Sequence, residues 1–264
     1  MNSKLLCFDV DGTLRDNTVH KISMSTLNSI KHLKALGHKM VISTGRGYDS
    51  LKNTQIFDIL EWDGYVLNNG QLILNQDQCV IKEYHMNPQS VMKTIATANQ
   101  LDMPVVLKMK KRLITRKPNK YVYQTQKYFN NVIPEVRDYN GKDDVYAMIL
   151  YSYPGDQYEV FRDIKGIHVD PGKSAYADVS IEGLSKATGN LLLADLFGYN
   201  NYIAFGDSQN DLEMFKYASL SICMGDGDPV AKEKADYITD TLANDGIYNA
   251  CVYFNWFIGD ENND

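Results

Sequence analysis

The sequence predicts an α/β protein: a parallel sheet with helices on its faces, interrupted by an inserted α+β segment. Three observations carry this. Short apolar runs alternate with helix-periodic stretches over the first third of the chain and again from Ser185. Between them, the middle of the chain holds strands and helices in a different order, and no low-complexity linker sets it apart. Carboxylates and small polar residues fall where the apolar runs end. In an open parallel sheet that edge is where ligands bind.

The elements follow in order. "KLLCF" is a buried strand. Leu27, Ile30, Leu33 and Leu36 recur at helical spacing, and Gly37 is placed to end that helix. "KMVIS" is the second strand and stops at Thr44-Gly45-Arg46. Tyr48, Leu51, Ile56 and Ile59 predict one helix, "YVLNNG" a third strand, and "QLILNQDQCVIKEY" a hairpin around a polar turn. Asn87-Pro88 opens a helix with Val91, Ile95 and Leu101. "PVVLKM" and "KRLITR" read as paired strands, "YVYQTQKYF" as a helix and "DVYAMILYS" as a strand. "GDQYEVFRDI" reads as a helix, "GIHVDP" and "AYADVSI" as two more strands. Helix-strand-strand thus occurs over 88–116 and again over 154–181, a loose internal repeat. In "KATGNLLLADLFG" Ser185 is the N-cap and Gly198 the stop. "NYIAFGD" is a strand ending in Asp207, followed by helix "QNDLEMFKYA", strand "LSICMG", helix "PVAKEKA", strand "YIT" and a closing helix in "DGIYNACVYFNWF". The acidic tail "GDENND" reads as frayed.

The 264 residues suffice for a sizeable core and more than one domain. A net charge of −6 without a basic stripe speaks against nucleic acid as a partner. Cys7, Cys79, Cys223 and Cys251 show neither C-x-x-C nor zinc spacing and read as free thiols, which suits a cytoplasmic location. The N-terminal segment does not read as a signal peptide, and no apolar run is long enough for a membrane span. The chain is expected to be a monomer or small homo-oligomer.

Asp9, Asp11, Thr44, Asp207 and Asp211 all fall at strand ends. Clustered carboxylates repel and need a cation or a shared proton. A hard divalent ion, Mg²⁺ foremost, suits oxygen ligands and leaves positions open for a substrate phosphate. Thr44 offers the phosphate a hydroxyl and Gly45 a close backbone approach. Lys186, in the first turn of its helix, opposes the helix dipole and is expected to be held by an anion. Singly, D-x-D-G-T and S-T-G-R read as turns, GDSQND as a helix N-cap and Lys186 as a solvated lysine. Their joint order points instead to one site.

In that order the motifs resemble the haloacid dehalogenase (HAD) superfamily, in its Cof-like sugar-phosphatase branch with a type IIB cap. "FDVDGTL", "VISTGR", "GLSKATGNLLLADLFG" and "AFGDSQNDLEMF" match its four motifs, and "NNG", "ADYIT" and "NDGI" are similar to family segments. The resemblance implies a Rossmann-like core, 1–83 and 182–264, and a substrate-selecting α+β cap, 84–181. Asp9 would be the nucleophile, giving an aspartyl-phosphate. Asp11 would protonate the leaving oxygen and then activate water. Mg²⁺ would be held by Asp9, the Asp11 carbonyl and Asp207, with Asp211 a further ligand or an orienting group. Thr44, Gly45, Lys186 and Asn210 would hold the phosphoryl group. Met224-Gly225-Asp226-Gly227 departs from the family's M-G-N-A, so Asp226 receives no ligand role, and Ala187 replaces a common glycine. Arg46 either pairs with a core carboxylate or contacts substrate. The Lys and Arg of "PVVLKMKKRLITRKPNKYVY" are read as facing solvent ahead of an anionic substrate. The expected activity is Mg²⁺-dependent hydrolysis of small phosphate esters, sugar phosphates foremost. Alternatives are a phosphorylated coenzyme (pyridoxal phosphate or FMN) as substrate, a phosphomutase, and, last, a non-enzymatic regulatory protein.

Overall fold

The computed structural model describes residues 3–153, 155–172 and 175–257. The tail expected to fray, 259–264, lies outside the described residues, as does Pro154. The chain opens with β1 (Leu5–Phe8), α1 (Met24–Ala35), β2 (Lys39–Ser43), α2 (Tyr48–Lys52), α3 (Ile56–Ile59), β3 (Gly64–Leu67), β4 (Leu72–Asn75) and β5 (Val80–Glu83). Then come α4 (Pro88–Gln100), β6 (Val105–Lys108), β7 (Leu113–Ile114), α5 (Lys120–Tyr128), β8 (Glu135–Val136) and β9 (Ala147–Leu150). A 3₁₀ turn (Asp156–Phe161), β10 (Ile167–Pro171) and β11 (Ala177–Ile181) follow. The last part holds α6 (Lys186–Phe197), β12 (Ile203–Gly206), α7 (Leu212–Tyr217), β13 (Leu220–Cys223), α8 (Pro229–Lys234), β14 (Tyr237–Ile238) and α9 (Gly246–Tyr253).

Eight strands form the main sheet in the order β14-β13-β12-β1-β2-β3-β4-β5. Neighbours from β14 to β3 are parallel, and the β4–β5 hairpin adds an antiparallel edge. β1 shows why its sequence is apolar throughout. Leu6 and Phe8 pack in the core that includes Ile30 and Leu33 of α1 and Ile247 of α9, while Leu5 and Cys7 pack with Leu193 of α6 and Phe215 of α7. A strand buried on both faces has no polar alternation. The chain runs to β2 and β3 on one side of β1 and to β12 and β13 on the other. This reversal opens a crevice beyond the strand ends, next to β1.

The residues between β5 and α6 build a second, six-stranded sheet, β10-β11-β9-β6-β7-β8, antiparallel except at β7–β8. Val91 and Ala98 of α4 and Tyr158 and Phe161 of the 3₁₀ turn share one core with Leu107, Met148 and Val179 of its strands. The two helix-strand-strand units therefore use the same face. Gln71 sits where the chain crosses between the sheets: its carbonyl accepts from Tyr84 N (2.9 Å) and its side-chain Oε1 from Ile181 N (2.6 Å).

Four local readings need correction. The Tyr48–Ile59 periodicity is not one helix, because Gln55 takes a left-handed conformation (φ 61°) between α2 and α3. "NNG" does not extend β3. Asn68, Asn69 and Gly70 have φ of 52°, 55° and 96°, and the Asn68 and Asn69 amides donate to the carbonyls of Arg46 and Thr44. Asparagine tolerates this region better than most residues. "GDQYEVFRDI" forms a 3₁₀ turn, not an α-helix, and "QNDLEMFKYA" begins as a 3₁₀ turn (Gln209–Asp211) before α7.

Gly70 joins this turn to α6. A Cβ there would lie 2.1 Å from the carbonyl oxygen of Ser185, at a φ unfavourable to L side chains. Gly70→Ala is expected to lower stability by ~2 kcal/mol or more. Urea unfolding of the variant checks this, and an unchanged midpoint would refute the contact.

Candidate active site

β1 ends in a turn that presents two carboxylates. The Asp9 amide continues the ladder to Phe205 O (2.9 Å), and Leu14 N and Arg15 N both fold back to Val10 O. Gly12 (φ 94°) makes the turn possible. A Cβ at Gly12 would lie 2.6 Å from Asp207 Oδ2, so the glycine also admits the carboxylate from the end of β12. Thr13 Oγ1 donates to Asp207 Oδ1 at 3.3 Å.

Lys186 is the first residue of α6 and wholly buried. Its Nζ donates to Asp9 Oδ1 (2.6 Å) and Asp211 Oδ1 (2.7 Å). Burial works to lower its pKa, but Asp211 and Asp9 together outweigh it and hold the ammonium above its ordinary value. The anions that offset the helix dipole are therefore two of the chain's own carboxylates. Asp211 is equally committed on its other oxygen: Oδ2 accepts from the amides of Asp207 and Ser208, each at 3.0 Å. Gly206 admits it, since a Cβ there would meet Asp211 Cγ at 2.6 Å. Burial pushes the Asp9 carboxyl up to about 7, against Lys186, which pulls it down, with Asp211 and Asp11 adding to the rise.

Asp9, Asp207 and Asp211 each bring a carboxylate oxygen within 4.8 Å of the others. An all-oxygen set of this size fits a hard divalent cation. Thr44, Gly45 and Asn210 line the same cavity of about 390 Å³, with Asp9, Asp11 and Asp207. Thr44 Oγ1 accepts from the Arg46 amide (3.1 Å), and Asn210 Oδ1 accepts from Ser208 Oγ (2.7 Å).

Arg46 takes the carboxylate-pairing option. Its Nε donates to Asp11 Oδ2 (2.5 Å) and its NH2 to Asp11 Oδ1 (2.8 Å). The same guanidinium reaches the second sheet's segment through Phe129 O (2.9 Å) and Asn131 Oδ1 (3.1 Å). Arg15, which the sequence reading passed over, adds a longer contact to Asp11 Oδ1 at 3.3 Å. Asp226 is exposed, and its Oδ1 only ties down the Leu242 amide at 3.4 Å.

The reading that sent the 104–123 basic residues to solvent is corrected in two places. Lys108 and Arg112 are 5% and 7% exposed and line the cavity. Lys108 Nζ donates to Gly45 O (2.9 Å) and Asp178 Oδ1 (2.6 Å), and Arg112 Nε to Asp49 Oδ2 (2.7 Å). Lys110, Lys111, Lys117 and Lys120 do face solvent. Lys108 shares strand parity with Val106, and nothing local says which face of that strand looks toward Asp9.

This fold and this constellation define a class. The chain matches the haloacid dehalogenase-like hydrolases over residues 6–251 and belongs to that family. It is a phosphatase of that family. By structure it is similar to the phosphatase BT1666 from Bacteroides thetaiotaomicron, at 29% identity and a TM-score of 0.87, with 96% of each chain covered. The subclass IIB sugar phosphatase BT4131 aligns at 27% identity and a TM-score of 0.86, covering 96% of this chain and 100% of that one. By sequence it is 26% identical to the 5-amino-6-(5-phospho-D-ribitylamino)uracil phosphatase YitU of Bacillus subtilis, over 92% of this chain and 94% of YitU. Among the described residues no helix is long and apolar enough to cross a membrane.

The two-point grip of Arg46 on Asp11 makes a prediction. Arg46→Lys keeps the charge but loses the planar fork. The variant is expected to lose at least ~10-fold in kcat with the fold intact, because Asp11 is no longer held in one orientation. Steady-state kinetics beside a thermal melt check this; a wild-type kcat would leave Arg46 a merely structural ion pair.

Proposed function

We propose that the chain is a Mg²⁺-dependent phosphatase of small phosphorylated metabolites, sugar phosphates foremost, working through an aspartyl-phosphate on Asp9. The observation that carries this is the buried triangle of Asp9, Lys186 and Asp211 beside Asp207. Residues 84–181 are taken as the cap and the rest as the core, a division supported by the crossings at Tyr84 and Ile181.

In this reading Asp9 attacks phosphorus through its free oxygen while Lys186 fixes the other. Lys186, the Thr44 hydroxyl, the Gly45 backbone and Asn210 hold the non-bridging oxygens, where charge stabilisation carries most of the rate. Asp11, held by Arg46 as an acceptor on both oxygens, would give a proton to the leaving oxygen once it carries one and later take one from the water that opens the aspartyl-phosphate. Asp9, Asp207 and the Asp11 carbonyl would hold Mg²⁺, which neutralises phosphoryl charge when bound. Asp211 fits the orienting role better than direct ligation, because both its oxygens already accept hydrogen bonds. Tyr128, Phe129, Tyr151 and Tyr176 on the cap side of the cavity favour a coenzyme phosphate as the second substrate class.

EDTA is expected to abolish turnover of a phosphate-ester panel and Mg²⁺ to restore it, with Ca²⁺ a poor substitute because of its looser coordination. Full activity in metal-free buffer would overturn the metal assignment. The division of labour between the aspartates has its own test. Asp9→Asn should form no phosphoenzyme. Asp11→Asn should slow both half-reactions on a sugar phosphate, yet give a burst of aryl alcohol on an aryl phosphate, whose leaving group needs little protonation. Rapid-quench assays decide: equal losses on both leaving groups would contradict the role of Asp11.

A further inference from the structure

The cap side of the cavity contains a carboxylate that the proposed chemistry leaves unused. Asp170 of β10 lies directly opposite Asp178 of β11 in the antiparallel register. Directly opposed residues share one face of a sheet, and like charges there repel. Both line the cavity that Asp9 lines. Asp178 is matched by Lys108 Nζ at 2.6 Å. Asp170 makes no hydrogen bond or ion pair with any described residue. Among the described residues, the other cap cation lining the cavity, Arg112, is spent on Asp49, and Arg46 of the core on Asp11.

Burial, then Asp178, raise the Asp170 carboxyl to about 6. Tyr176 lies nearby. Burial, then the carboxylates of Asp178, Asp11 and Asp170, push its phenol well above the usual value, so it stays a neutral donor. Tyr176 also meets the ring of Phe129 edge-on at 5.8 Å, and this pair forms an aromatic wall of the cavity. A half-buried carboxylate beside a second one gains most from a ligand that donates hydrogen bonds.

Resting on the phosphatase reading above, we infer that Asp170 is a specificity-determining residue: it accepts hydrogen bonds from a hydroxyl or ammonium on the leaving group. A leaving group that brings a carboxylate to this position meets like charge. The favoured esters are thus donor-rich, and a short carboxylate-bearing ester is disfavoured.

The test compares wild type, Asp170→Ala and Asp170→Asn, with Mg²⁺, on glucose 6-phosphate, glucosamine 6-phosphate, phosphoglycolate and p-nitrophenyl phosphate. Asp170→Ala is expected to lower kcat/KM for both sugar phosphates by at least ~10-fold, mainly through KM, on the scale of one hydrogen bond to a charged group. The aryl phosphate, which has no donor to offer, should keep its wild-type kcat/KM. Asp170→Asn retains an acceptor oxygen. It should recover part of the glucose 6-phosphate activity if a hydroxyl is read, and little of the glucosamine 6-phosphate activity if an ammonium is read. Phosphoglycolate should be poor in the wild type and better in Asp170→Asn. Even losses on all four esters, the aryl phosphate included, overturn the inference and leave the phosphatase reading standing. A wild type that takes phosphoglycolate as readily as the sugar phosphates does the same. Turnover of none of the four by the wild type removes both readings together.

Discussion

One buried ammonium holds the site together. Lys186 has no solvent contact, so its charge survives only because Asp9 and Asp211 meet it at 2.6 and 2.7 Å. Removing Lys186 would leave two buried carboxylates facing each other without a cation, a loss on the order of 3–5 kcal/mol in comparable cases. The constraint spreads through the backbone. Asp211 can face Lys186 only because its second oxygen caps the amides at Asp207 and Ser208, and because Gly206 leaves room for it. Asp9 can do so only because β1 stays paired to β12 as far as the Asp9 amide. Two strand ends and a helix start are thus fixed by one charge, and Asp207 comes to the same point as a consequence.

A second layer of contacts ties that point to the inserted sheet. The short stretch from Thr44 to Ser50 does most of this. Gly45 O accepts from Lys108, Asp49 from Arg112, and Arg46 bridges Asp11 to Phe129 and Asn131. The stretch is itself propped from below, where the Asn68 and Asn69 amides bind the carbonyls of Arg46 and Thr44. Any displacement of the inserted sheet would therefore pull on the residues that orient Asp11 and line the cavity. In the proposed reaction, water exclusion and the placement of Asp11 would then be parts of the same arrangement.

The parts legible in the sequence are those set by local pattern. β1 is a clean apolar run because it is buried on both faces, and carboxylates at its end have no structural excuse. Ser185 and Gly198 bound α6 as their cap preferences require, Gly198 at φ 78°. The misread parts are set by tertiary contact. Asn68 and Asn69 continue an apolar strand in sequence, yet carbonyls from another loop draw their amides into a left-handed turn. The periodicity of Tyr48, Leu51, Ile56 and Ile59 survives in α2 and α3, but Gln55 breaks the axis between them. Lys108 and Arg112 look like Lys110 and Lys111 in sequence. Only the docking of the inserted sheet separates them.

Charge balance explains why such a site would take its ion and its substrate together. Four carboxylates, Asp9, Asp11, Asp207 and Asp211, converge there, and the cations that touch them among the hydrogen bonds described are Lys186, Arg46 and Arg15. Burial raises the Asp9 carboxyl, and the neighbouring Asp211 and Asp11 add to the rise against the pull of Lys186. A phosphate dianion alone would deepen that excess, and a dication alone would reverse it. Bound as a pair, the two nearly cancel and leave the site close to its starting balance. A cation held by Asp9 and Asp207 would supply the positive charge that otherwise favours a proton on Asp9. In the proposed reaction the carboxylate that burial works to protonate would thus be available as the nucleophile when the phosphate arrives with its counter-charge.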